Sequence, residues 1–138
     1  MRTYYIFKLD SFLYNRNKSS VYKILKNISK LSKNDNKLAK RIYNKFVVSI
    51  SKEKINNYIL KLHINDIYYK KNNDNHIVDT GYEISKLYVH NTYLKIETTN
   101  NISVFLKDII PISCNMICID FDSVDYFYLS ELKTKLLV

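Results

Sequence analysis

The hydrophobic and polar positions at the start of the chain follow two different periods. Residues 2–9 alternate at a period of two, which predicts a β-strand. A helix is predicted next, because Ser19 or Ser20 can cap its start and lysines occupy the face opposite its apolar residues. The apolar face of this helix consists of Val21, Ile24, Leu25, Ile28 and Leu31. After a polar break at residues 33–36, a spacing of four residues predicts a second helix through Leu38, Ile42, Phe46 and Ile50.

Alternation with a period of two returns in the middle of the chain, where Tyr58, Leu60, Leu62 and Ile64 share one parity. The elements predicted from here on are a strand at 58–64, a polar loop at 70–75, strands at 81–89 and 93–98, and a short helix at 101–110. His90 and Asn91 separate two of these strands and predict a hairpin, since Asn tolerates the positive φ of tight turns. Pro111 is expected to end the short helix.

The segment 115–129 joins two strand patterns through a turn. Ile117, Ile119 and Phe121 alternate and therefore share one face of the first strand. Asp122 and Ser123 follow, and their side chains are acceptors suited to a tight turn. The pattern predicts a second β-hairpin.

The predicted order of elements is β-α-α-β-β-β-α-β-β. A chain of 138 residues can bury about two-thirds of its unfolded surface, enough for a two-layer core. We therefore predict one α/β (α+β) domain over residues 1–138, with a central, mostly antiparallel sheet and flanking helices. No apolar run approaches the ~18 residues that a membrane span needs, and the chain begins with a strand instead of a signal-peptide core. We expect a cytoplasmic protein without direct membrane contact.

The net charge of +9 is unevenly distributed. Residues 1–60 contain 14 lysine and arginine residues against three acidic ones, whereas residues 61–138 contain eight against ten. A positive face attracts nucleic acid, anionic lipid or an acidic protein surface. A solvated lysine-rich face explains the same pattern, because only Arg2, Arg16 and Arg41 among the cations have the bidentate geometry best suited to phosphate.

The residue inventory excludes most enzyme chemistry. Gly81 is the only glycine, so neither a P-loop nor a glycine-rich dinucleotide or coenzyme A cradle can be present. Asp120, Asp122 and Asp125 are interpreted as turn-forming aspartates, because they lack the loop of a calcium site. The three histidines and two cysteines show neither catalytic nor zinc-binding spacing. We expect no catalytic site, cofactor or metal, and a buried structural thiol at Cys118.

The hairpin also carries a family resemblance. Its spelling, I-D-F-D-S-x-x-Y-x-Y-L from Ile119 to Leu129, resembles the C-terminal signature of the SirA family, the sporulation inhibitors of DNA replication. The N-terminal segment is similar to that family as well, through Thr3-Tyr4-Tyr5-Ile6-Phe7, then Phe12 and Tyr14, then Ser19-x-x-Tyr22-x-Ile24-Leu25. One departure is Phe127-Tyr128, where relatives tend to carry Gly-Trp.

The resemblance implies a fold, a partner and a binding surface. The fold would be a reduced version of the N-acetyltransferase architecture. The protein would be a non-enzymatic inhibitor of replication initiation that binds the N-terminal domain of the initiator DnaA during sporulation. The implied partner-binding residues are Phe12, Tyr14, Lys40, Arg41 and Asn44. Two alternatives stay open: a basic module that binds nucleic acid directly, and a degenerate acyltransferase-fold protein.

Overall fold

The computed structural model describes residues 1–32 and 37–136, so the predicted break at 33–36 lies outside the described residues. The strands are β1 (Arg2–Lys8), β2 (Tyr69–Asn72), β3 (Asn75–Asp79), β4 (Ile84–Val89), β5 (Leu94–Thr98), β6 (Met116–Asp120) and β7 (Asp125–Tyr128). The helices are α1 (Ser11–Tyr14), α2 (Lys18–Ser32), α3 (Lys37–Phe46), α4 (Lys52–Leu62), α5 (Val104–Ile109) and α6 (Leu129–Leu136), with a 3₁₀ helix at Ile110–Ile112.

All seven strands belong to one antiparallel sheet, in the order β2-β3-β4-β5-β1-β6-β7. The first strand of the chain is therefore internal, with Ile6 paired to Leu94 of β5 on one side and to Cys118 of β6 on the other. Helices and sheet form one small α+β domain, which confirms the predicted fold class. No helix within the described parts of the chain is long and apolar enough to cross a membrane.

The two faces of the sheet pack against different helices. One face, which includes Tyr4 and Ile6, packs on buried residues of α4 and α5. The other face, which includes Ile117 and Ile119, packs on α1 and α2, and Phe121 joins this cluster as predicted. Cys118 lies on the first face and is fully buried, and this burial raises the pKa of its thiol well above the usual range.

The prediction of a strand at 58–64 is wrong, because these residues belong mainly to α4. Ser51 caps this helix by accepting a hydrogen bond from the Lys54 amide, and Ile55 and Ile59 bury one face of it. Of the residues that alternate at period two, Tyr58 packs against the core, whereas Leu62 and Ile64 are 52% and 69% exposed. The helical spacing of the buried isoleucines decided the structure, because burial stabilises a helix more than local propensity does.

The prediction of a polar loop at 70–75 is also wrong. Residues Tyr69–Asn72 and Asn75–Asp79 pair as a hairpin, with Asn73 in the turn at a φ of 56°. β2 lies at the edge of the sheet, where Lys70 and Lys71 are exposed. Lysines on an edge strand discourage pairing with other chains. They also make the sequence of this strand as polar as that of a loop.

The ends of several elements differ from the prediction. Asn17, and neither Ser19 nor Ser20, caps α2, since its Oδ1 accepts from the Ser19 amide at 2.8 Å. α5 ends at Ile109, shortly before Pro111 as predicted, and Pro111 lies within the 3₁₀ helix that follows. The β4–β5 hairpin forms as predicted, but Asn91 is not among the residues with positive φ. α1, β2, β3 and α6 were not predicted, and α4 replaces the predicted strand at 58–64, so the observed order is β-α-α-α-α-β-β-β-β-α-β-β-α.

Candidate protein-binding surface

An exposed aromatic ring on α1 is the centre of a small basic and aromatic surface. Asp10 caps α1 by accepting a hydrogen bond from the Leu13 amide at 2.8 Å. Leu13 is buried in the core, whereas its neighbour Phe12 is 60% exposed. This helix of one turn is held in place by its cap and by the buried Leu13, and it thus presents the neighbouring side chain, Phe12, to solvent.

Phe12 is not isolated on this surface. Its ring stacks on Phe46 at the end of α3, with centroids 6.4 Å apart and planes 18° apart. The Arg16 guanidinium lies 4.9 Å from the Phe12 centroid, and the Lys45 ammonium lies 5.6 Å from the Phe46 centroid. We call Phe12, Arg16, Lys45 and Phe46 the Phe12 surface. Cations over aromatic faces hold these rings in place and give the surface a positive rim.

Tyr14 has a different environment from Phe12. It is half-buried, its ring lies 4.5 Å from that of Tyr128, and its hydroxyl is 3.1 Å from the Ser130 hydroxyl. The Tyr128 hydroxyl donates to the carbonyl oxygens of Tyr14 at 2.9 Å and Arg16 at 3.0 Å. Tyr14 therefore joins the end of α1 to the C-terminal hairpin and contributes less exposed surface than Phe12.

The three site residues predicted on the second helix are all exposed on α3, namely Lys40, Arg41 and Asn44. The helix docks through Ala39, which is buried, and through Tyr43, whose hydroxyl lies 2.9 Å from that of Thr92. Arg41 and Lys45 are one turn apart and so lie on the same side of α3. The positive charge in contact with Phe12, however, comes from Arg16.

Sequence reasoning did not assign Arg16, Lys45 or Phe46 to the site. In the sequence, Phe46 only continues the apolar spacing that predicts the second helix. One signal in the sequence could have identified Arg16, since it follows Phe12 by four residues, the spacing at which helical side chains meet. The stacking of Phe12 on Phe46 joins residues 34 positions apart, and no local pattern predicts it.

The aspartates of the C-terminal hairpin form a structural cluster with Arg2. Asp120 accepts hydrogen bonds from the amides of Asp122 and Ser123, so the turn acceptor is Asp120 and not the predicted pair. The Arg2 guanidinium donates to Asp120 and to Asp125, each at 2.9 Å. Burial alone would raise the pKa of Asp120, but hydrogen bonds from Ser123 and Arg2 outweigh it and lower this pKa. Among the described residues, no group of histidine, cysteine and acidic side chains could hold a metal ion.

Two buried histidines, His63 and His76, lie near Phe105 of α5. Their ring nitrogens are occupied by protein groups. His76 contacts the Tyr69 hydroxyl at 2.6 Å through Nδ1 and the Asn56 amide oxygen at 2.7 Å through Nε2. His63 contacts Asp66 at 3.1 Å through Nδ1 and Asp108 at 2.5 Å through Nε2. Both rings are therefore built into the core, and neither presents a nitrogen to a substrate.

The comparison with known proteins found no family model and no curated protein that matches this chain. The resemblance to the SirA family thus stays a prediction that depends on the two terminal motifs. These motifs meet in the structure, because Tyr128 of the C-terminal signature binds the backbone of α1, which presents Phe12.

Proposed function

We propose that this protein is a non-enzymatic inhibitor of replication initiation, which binds the N-terminal domain of the initiator DnaA in sporulating cells. The resemblance at both ends of the chain suggests the partner. The observation that supports binding is the exposed ring of Phe12, stacked on Phe46 and flanked by Arg16 and Lys45.

The chemistry of the Phe12 surface suits a protein partner. Interfaces concentrate their binding energy in a few aromatic and arginine residues, surrounded by polar residues that exclude water. The stacking and cation–π contacts already order the Phe12 ring, so little side-chain entropy is lost when a partner covers it. A complementary surface would offer an apolar pocket with acidic groups at its rim.

Inhibition would follow from occlusion. A small domain seated on the initiator covers whatever that surface otherwise contacts, whether a second initiator molecule or another partner. This mechanism requires binding only, in keeping with buried histidines whose nitrogens are all engaged and with a single glycine.

The test is the affinity of the Phe12→Ala variant for the purified N-terminal domain of DnaA, measured by calorimetry. Truncation of a central aromatic anchor removes about 2 kcal/mol or more, so Kd should rise about 30-fold. The matched control is Tyr82→Ala, which removes a ring that is 96% exposed beside β4, at the opposite end of the sheet.

We expect the control to bind as tightly as the wild type. If Phe12→Ala keeps its melting temperature and also its affinity, the binding surface is assigned wrongly. If the wild type does not bind the domain at all, the proposed partner is wrong.

A further inference from the structure

Within residues 1–32 and 37–136, the helices on the Phe121 side of the sheet leave part of this face uncovered. A cleft of about 980 Å³ lies between α2, α3 and the sheet. Its floor is formed by the aromatic side chains of Tyr5, Phe7, Tyr93 and Phe121. The wall contributed by α3 includes Ala39, a residue too small to reach across and fill the gap. The size is within the range of small-molecule sites, ~300–1,000 Å³.

The floor is a connected group of rings. Tyr5 lies 6.0 Å from Tyr93 and 5.7 Å from Phe121, and Phe7 lies 6.1 Å from Tyr93, all between centroids. Tyr5, Tyr93 and Phe121 are only half-buried, so part of each ring remains open to a ligand, although His90 already stacks on Tyr93 with centroids 4.3 Å apart. Aromatic rings at such distances favour a further planar ring by stacking or edge contact.

Charge at the cleft favours an anion. Lys37, Lys40 and Lys95 line it, and the acidic residues that line it are Asp120 and Asp122. The Asp120 carboxylate is already neutralised by Arg2 at 2.9 Å. Lys95 extends from the middle of β5, opposite Tyr5, and lines the cleft, while its ammonium lies 5.5 Å from the centroid of Tyr88 on the neighbouring strand β4.

We propose that this cleft binds a planar aromatic anion of nucleotide size, with the ring on the Tyr5–Tyr93–Phe121 floor and the anionic group at Lys95. The Phe12 surface contributes no residue to the cleft, so the inference does not depend on the proposed partner. Lys40 belongs to both the cleft and the residues that the resemblance implies, and the test therefore uses Lys95.

The probe is adenosine 5′-monophosphate, titrated against the full chain by calorimetry and by NMR of the aromatic ring protons. We expect it to bind about tenfold more tightly than adenosine or ribose 5-phosphate, because each of these lacks one half of the recognised chemistry. Ring signals of Tyr5, Tyr93 and Phe121 should shift.

Two variants with matched controls locate the site. Lys95→Glu should weaken binding about tenfold, as expected for loss of a charge-assisted contact, whereas Lys61→Glu, the same change on the exposed side of α4, should leave binding unchanged. Tyr93→Leu should weaken binding and Tyr82→Leu should not. If Tyr93→Leu fails to fold, the lysine pair and the comparison of the three ligands decide the question.

The inference is overturned if the nucleotide does not bind, if ribose 5-phosphate binds equally well, or if Lys95→Glu binds like Lys61→Glu. Binding of a single-stranded thymidine oligomer without binding of the mononucleotide would also overturn it, since that result indicates a strand-binding surface instead of a nucleotide cleft.

Discussion

At the scale of single residues, the two buried histidines favour different protonation states because of the groups that contact them. His63 lies between two carboxylates, which can only accept hydrogen bonds when ionised. Burial opposes its charged form, but the bonds to Asp108 and Asp66 outweigh burial and raise the pKa of His63. His76 contacts an amide oxygen and a hydroxyl, so the neutral ring satisfies both partners.

The neutral state of His76 predicts a loss of stability in acid. Burial first, and the positive charge of Lys71 second, lower the pKa of His76 to about 4, from about 6.5 in the unfolded chain. Its contribution is therefore complete above about pH 6.5 and is lost as the pH falls towards about 4, at a cost of about 3 kcal/mol. Urea denaturation should show a smaller decrease in the free energy of unfolding for His76→Gln than for the wild type between about pH 7 and pH 4.5.

His63→Gln is the control for this measurement, because the sign is opposite. A group whose pKa is raised in the folded state contributes its full stabilisation below its pKa in the unfolded chain. This stabilisation is lost as the pH rises through the pKa of the folded state. His63→Gln should therefore show the same decrease in the free energy of unfolding in acid as the wild type. If His76→Gln also shows the same decrease as the wild type, His76 does not cause the loss.

At the scale of elements, the C-terminal hairpin supports both ends of β1. Arg2 at the start of this strand binds Asp120 and Asp125 of the hairpin. Beyond its other end, Tyr128 binds the carbonyl oxygens of Tyr14 and Arg16. The hairpin thus holds α1 and, with it, the Phe12 surface, although it contributes no residue to that surface.

This arrangement predicts that Tyr128 acts as a positioning residue. Tyr128→Phe keeps the ring that packs on Tyr14 and removes the hydroxyl, so we expect a loss of about 1 kcal/mol in stability. Amide exchange at Leu13 and Arg16 should become faster, and affinity for the initiator domain should fall less than in Phe12→Ala.

The control on the same strand is Tyr126→Phe. The Tyr126 ring stacks on Tyr22 at 4.7 Å, and the hydrogen bonds to the carbonyl oxygens of Tyr14 and Arg16 come from Tyr128. Its amide exchange in α1 should match the wild type. Unchanged exchange in Tyr128→Phe would mean that the hydroxyl does not hold α1.

At the scale of the whole molecule, positive charge is concentrated in the first 60 residues, which form β1 and α1 to α3 and most of α4. A protein with this excess of lysine and arginine associates faster with an acidic partner, and the effect is screened by salt. It would also bind nucleic acid without sequence preference, and that affinity falls steeply with salt through counterion release.

Salt dependence therefore separates the two modes of binding. Between about 50 and about 200 mM salt, we expect affinity for the initiator domain to fall less than about tenfold, whereas a DNA-binding protein with several phosphate contacts loses a factor of about 10³ or more. Lys45→Gln should lower mainly the association rate, and Lys61→Gln should serve as its control. A steep salt slope for DNA with tight binding at low salt would favour the nucleic-acid alternative.

The sequence by itself determined the elements whose signals are local. The period of two in β1 and β6 and the helical spacing of α2 each depend on neighbours within a few residues. The fold class and the hairpin at 115–129 were therefore predictable, as was the exposure of the charged residues on α3.

Only the tertiary structure decided the features that depend on distant neighbours. β2 is a strand because β3 offers it an edge, although its own residues are polar. The segment after Ser51 is a helix because Ile55 and Ile59 find a core to enter. Phe12 is exposed and Leu13 buried because a one-turn helix can direct only one of them inward, and the position of the sheet decides which. Burial and long-range pairing are properties of the folded chain, and the spacing of residues in the sequence does not contain them.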